Sequence, residues 1–191
     1  MSVILAYKNF AANRNISHIG LGVSAINTAK VLRREGIQAD VWPIISASDL
    51  RNRLRITPAD DVIISAPWIP ALEMQALSNA FPQTHFTVNC HSNVGFLQAD
   101  RNGMRLLREM MELELATANV HLAGNSRRFC DWIRTAFGAP CRYLPNLYWI
   151  ESDPMWSQPF SGGTLRIGVF GATRPLKNLM SAAGAPSRKA S

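Results

Sequence analysis

Apolar, β-branched runs alternate with stretches of helical spacing throughout the first 150 residues, the pattern of a parallel sheet wrapped by helices. Strands are predicted over residues 3–7, 39–45, 61–66, 85–90, 120–124 and 141–144. Their near-continuous hydrophobicity suits strands covered on both faces. Helices are predicted over residues 24–34, 48–54, 71–80 and 101–118, and from Ser126 as N-cap to Gly138, with Pro140 barring continuation. In the first helix Ile26, Ala29, Val31 and Leu32 form the expected inner stripe, opposite Lys30, Arg33 and Arg34. In the long helix Met104, Leu107, Met111 and Leu115 are expected to face inward as core filler.

The pattern breaks at residues 151–163, where Pro154, Pro159, Gly162 and Gly163 read as an interdomain linker. It restarts with a strand over residues 164–170, a turn over 171–175 and a helical start from Leu176 to Ala183. The expected organisation is therefore a Rossmann-like domain over residues 1–150, a linker over 151–163, and a truncated second domain over 164–191 whose last residues are mobile.

A chain of 191 residues accommodates one such domain with a buried core and leaves too little for a second of ordinary size. The 47% apolar and 17% charged composition is that of a globular protein. The first apolar run is too short for a secretory signal and no run reaches membrane-spanning length, so a cytoplasmic location with at most peripheral membrane contact is expected. Cys90, Cys130 and Cys141 are odd in number and lack zinc or redox spacing, so buried free thiols are expected. The net charge of +7 comes largely from arginine. Either it draws an anionic partner, whether a nucleotide diphosphate, a phosphorylated lipid or glycan, an acidic membrane face or nucleic acid, or it is a solvated surface spread over several helices.

Ligands of open α/β sheets bind beyond the carboxyl ends of the strands, which singles out four loops. The first contains His18, Gly20 and Gly22; its glycines would let the backbone approach an anion at a helix terminus, or would simply cap that helix. The G-x-G-x-x-A match at Gly20–Ala25 follows its strand by a dozen residues, whereas a dinucleotide fingerprint follows directly. The second, His91-Ser92-Asn93, offers hydrogen bonds or acid–base chemistry, or closes the strand structurally. His85 and His121 point to no site. The third holds Asn125 beside the Ser126 cap, and the fourth pairs Arg174 and Lys177 after a glycine turn, as a diphosphate clamp would. No Walker lysine, metal-ligand cluster or G-x-S-x-G elbow is present.

In this order the loops HIGLG and VNCHS, the run VHLAGNSRRFCDWIRTAFGAPCRYLPNLY and the restart LRIGVFGATRPLKN resemble the group 1 (retaining, GT-B) glycosyltransferases. The resemblance implies transfer of a sugar from a nucleotide sugar to a glycan, lipid or other acceptor, without metal or other cofactor and without nucleic acid. Gly20 and Gly22 would approach the diphosphate or the sugar, His91 would act at the reacting centre, and Lys177, helped by Arg174, would neutralise the leaving diphosphate. His18, Ser92, Asn93 and Asn125 would line the cleft. Leu147-Tyr148 after Pro145-Asn146 departs from the family's glycine, and the donor domain stops after one strand. Weak or absent turnover is thus expected from this chain, with the lone strand at residues 165–170 available to a second copy. A non-catalytic glycan- or phosphate-binding module, or a protein-interaction module, of the same fold is the alternative.

Overall fold

The computed structural model describes residues 1–9, 19–92 and 94–149. The linker and second-domain expectations lie outside them.

Six parallel strands form one sheet in the order β2-β1-β3-β4-β5-β6: β1 (Ser2–Lys8), β2 (Gln38–Ile44), β3 (Asp61–Ser65), β4 (His85–Cys90), β5 (Val120–Gly124) and β6 (Arg142–Tyr143). The helices between them are α1 (Ile19–Arg34), α2 (Ala47–Ile56), α3 (Ala71–Ala80), α4 (Val94–Ala99), α5 (Arg101–Ala116) and α6 (Arg127–Phe137). This is a Rossmann-like α/β fold. The chain steps from β1 to β2 on one side and then to β3 on the other, so the order reverses between β1 and β3, the crevice where such sheets hold ligands.

Alternation along each strand divides the core in two. Ile4, Ala6, Val62, Ile64, Phe86, Val88 and Leu122 join residues of α2, α3, α5 and α6 on one face. Val3, Leu5 and Ala39 meet Ala25 and Ala29 of α1 on the other. Each large side chain fully withdrawn from water, Phe86 and Leu107 among them, contributes roughly 1.5–3 kcal/mol.

The inner stripes differ in detail from expectation. α1 turns Gly22, Ala25 and Ala29 to the sheet and leaves Ile26 46% exposed, because a helix lying this close over β1 needs small residues at the contact. A Cβ on Gly22 would stand 3.2 Å from the Tyr7 ring. In α5, Leu106, Met110 and Leu113 join Leu107 and Met111 in the core, while Leu115 is 70% exposed near the helix end. α2 runs to Ile56, two residues further than its apolar spacing reaches, after a start fixed by Ser46, whose Oγ accepts the Asp49 N–H at 3.1 Å.

The short β6 pairs only with Ala123 and Gly124. Glu114 covers for it, accepting the Leu122 N–H at 2.8 Å. Its carboxylate lies 3.7 Å from Nδ1 of His121, yet burial pushes the Glu114 carboxyl up, and burial together with Arg142 and His85 pushes the His121 imidazole down. The contact is therefore a polar packing contact around a neutral imidazole rather than an ion pair. Asn119 ties the α3–β4 turn to β5, its Nδ2 donating to Thr84 O at 3.0 Å and Phe81 O at 3.2 Å.

A Cβ on Gly124 would stand 2.3 Å from Phe129 Cδ1. Gly124→Ala is expected to cost about 1–3 kcal/mol in urea unfolding. Gly20→Ala, which meets nothing within 4 Å, should be neutral or stabilise by up to about 1 kcal/mol; the opposite order would refute close packing at Gly124.

Candidate functional site

Strands β4 and β5 end level with each other, Cys90 opposite Gly124, and the Asn125 N–H donates to Cys90 O at 3.2 Å. That bond brings the two ensuing loops together. Between them opens a cleft of about 380 Å³, walled by His91 and Ser92 after β4, by Val94 and Gly95 of α4, and by Asn125, Ser126, Arg128 and Phe129 at the start of α6.

The Asn125 carboxamide Nδ2 stands 3.5 Å from His91 Nδ1. With Nδ2 as donor, Nδ1 is the acceptor, and a neutral imidazole then carries its proton on Nε2. His91 is held neutral because burial pushes its pKa down from 6.5. Its Nε2 is buried without a hydrogen-bond partner, as are Asn89 Oδ1 and Trp68 Nε1. All three orphans sit at or just beyond the carboxyl ends of β3 and β4. Ala66, between them, has a left-handed φ of 73°, a conformation strained for a residue with a Cβ, and its N–H donates to Asn89 O at 2.8 Å.

At α6 the first helical bond of the turn runs from Cys130 N–H to Ser126 O at 3.1 Å. The preceding amides are left for other partners, since the side chain of Ser126, though at the N-cap, makes no capping bond. A helix start without a side-chain cap, beside the Arg128 guanidinium, favours an anion. Among the described residues that wall the cleft there is no carboxylate to oppose it. Among the described residues no group of three or more His, Cys, Asp or Glu side chains could hold a metal ion.

Of the residues expected at a site, His91, Ser92 and Asn125 are brought together here. Gly20 and Gly22 do not form a loop: both lie within α1, whose helix starts at Ile19. Gly22 is buried against Tyr7 and Gly20 faces open space, so at most the first-turn backbone of α1 could meet a ligand. His18, Asn93, Arg174 and Lys177 fall outside the described residues. Sequence reasoning missed Arg128. The signal was available in helical spacing: adjacent residues at a helix start point about 100° apart, and Arg127 is spent on the Tyr143 ring, 4.4 Å from its guanidinium, which leaves Arg128 for the cleft.

No protein-family profile matches the chain, and no curated protein matches it. Among solved structures it is similar to "putative lipoprotein from Peptoclostridium difficile 630 (fragment)", at 10% identity over 65% of this chain and 85% of that one, with a TM-score of 0.39. A likeness that slight carries no functional weight. No helix among the described residues is long and apolar enough to cross a membrane.

His91 is neutral in both folded and unfolded chains above pH 6.5. Below that value the unfolded chain binds a proton at this position that the folded chain refuses, so stability should fall as the pH drops from 6.5 towards the lowered folded pKa. Thermal unfolding of wild type and His91→Asn between pH 7.5 and 5 checks it: the variant should show the shallower slope, and identical slopes would count against a buried neutral imidazole.

Proposed function

We propose that the domain forms one wall of a sugar-transfer cleft, in the manner of the group 1 glycosyltransferases that its loops resemble. The observation that carries the reading is the meeting of His91, Asn125 and Arg128 in one cleft beyond β4 and β5. An anionic group of a nucleotide-sugar donor would rest on the first-turn amides of α6 and on Arg128. Ser92, Asn125 and His91 would hold sugar hydroxyls, with the Nε2 proton of His91 directed to an oxygen near the reacting centre. Arg174 and Lys177 keep the role that the resemblance gives them, neutralising the departing diphosphate. No metal or other cofactor is required in this scheme. The free, buried thiols of Cys90, Cys130 and Cys141 suit the reducing cytoplasm, where we place the protein.

A second reading, a non-catalytic glycan- or phosphate-binding module, is favoured by the composition of the cleft's described walls: Arg128, several neutral hydrogen-bonding groups and, among the described residues, no carboxylate to take a proton. Binding and turnover separate the two. Calorimetry of the full chain with UDP-glucose, GDP-mannose and NAD should show heat for a nucleotide sugar and none for NAD. Arg128→Ala should weaken that binding by about 10–100-fold, the worth of one charge-assisted contact. Sugar release from the bound donor, lost in His91→Ala, would support transfer; binding without release in wild type would support the module. Equal affinity in wild type and Arg128→Ala would dismiss both.

A further inference from the structure

The segment after β6 doubles back over the α1 face of the sheet. Asn89 Nδ2 donates to Leu144 O at 3.2 Å, the Leu147 N–H donates to Thr28 Oγ1 at 3.4 Å, and the Arg34 guanidinium lies 3.6 Å from the centre of the Trp149 ring. Beneath this strap is a cavity of about 110 Å³, which shares His91 with the cleft at α6. It lies where the strand order reverses, between Leu5 of β1 and Ile63 of β3, with Leu32, Leu144, Pro145 and Leu147 closing it.

The polar groups in its wall, Ser24, Thr28, Ser65, Asn89, His91 and Asn146, include no carboxylate, lysine or arginine. Ser24 and Ser65 line it, and both are buried. Asn89 lines it with only 5% of its surface exposed, and its Oδ1 accepts nothing. His91, two residues on and so on the same side of an extended stretch, lines it too, with Nε2 unpartnered. A buried acceptor left unpaired destabilises the fold, and a donor that reaches it recovers that loss. The walls repel a charge, and the space is somewhat smaller than the roughly 150 Å³ of an apolar cavity that takes benzene.

We propose that this cavity is a second binding site, for the end of a neutral, mainly apolar ligand of about five heavy atoms that carries one hydroxyl. The hydroxyl donates to Asn89 Oδ1, while the alkyl part fills the space between Leu5, Ile63 and Leu147. The site shares His91 with the α6 cleft, but Asn89 and its apolar walls lie outside that cleft, so it does not rest on the sugar-transfer reading.

The test uses the full chain and two probes, 2-methyl-1-propanol and its methyl ether, which keeps the alkyl group and lacks the donor. In ¹⁵N correlation spectra the alcohol should shift the Asn89 side-chain amide and the Leu147 backbone amide saturably, with a dissociation constant on the order of 1–10 mM. The ether should bind at least about tenfold more weakly. Ser65→Val, which narrows the cavity with a residue favoured in strands, should abolish the alcohol response while leaving the rest of the spectrum in place. Non-saturating shifts in wild type would mean that water alone fills the space, and equal affinity for alcohol and ether would mean that the donor is irrelevant; either overturns the proposal. The wild-type comparison stands even if the variant does not fold.

Discussion

The site depends on the parallel pairing of β4 with β5 up to their last residues. Because Cys90 is level with Gly124 and receives the Asn125 N–H nearby, the β4 and β5 loops emerge as neighbours. Had β5 ended one residue sooner, Asn125 would point to the other face of the sheet and His91 would lose its contact. The pairing is in turn held by Phe86, Val88 and Leu122 packed beneath α5 and α6, so the placement of a polar cleft rests on an apolar layer that reaches it through Phe129. Gly124 belongs to both: its missing side chain is what lets Phe129 close over the strand end.

Most of the sheet was legible in the sequence because buried parallel strands are written as short apolar runs, and each of the six was found within about two residues. What periodicity could not supply was the depth of contact. Ile26 looked like core and is half exposed, since α1 approaches β1 through glycine and alanine. α4 was not anticipated: at six residues it completes too few turns to display a period.

The glycines near residue 20 show the limit of reading function from composition. A glycine-rich stretch after a strand is ambiguous between an anion loop and a closely packed helix, and only the Tyr7 ring against Gly22 decides between them at that position. His91 was recognisable from its place at a strand end, but its partner Asn125 was linked to it only by strand adjacency, and Arg128 only by the helical phase that sends Arg127 to Tyr143.

The returning strap has a mechanical consequence. Asn89 is fixed at the end of β4 by its backbone, yet its carboxamide grips Leu144, and three residues later Leu147 is fastened to Thr28 on α1. Tension applied to the chain beyond Trp149 therefore reaches the stacked Arg34 first, then the Thr28 knot, and finally the amide that sits two residues from His91. The strap works as a row of fasteners, and at Leu144 a pull on its far end divides between the Asn89 carboxamide of β4 and the backbone bond to Gly124 O of β5.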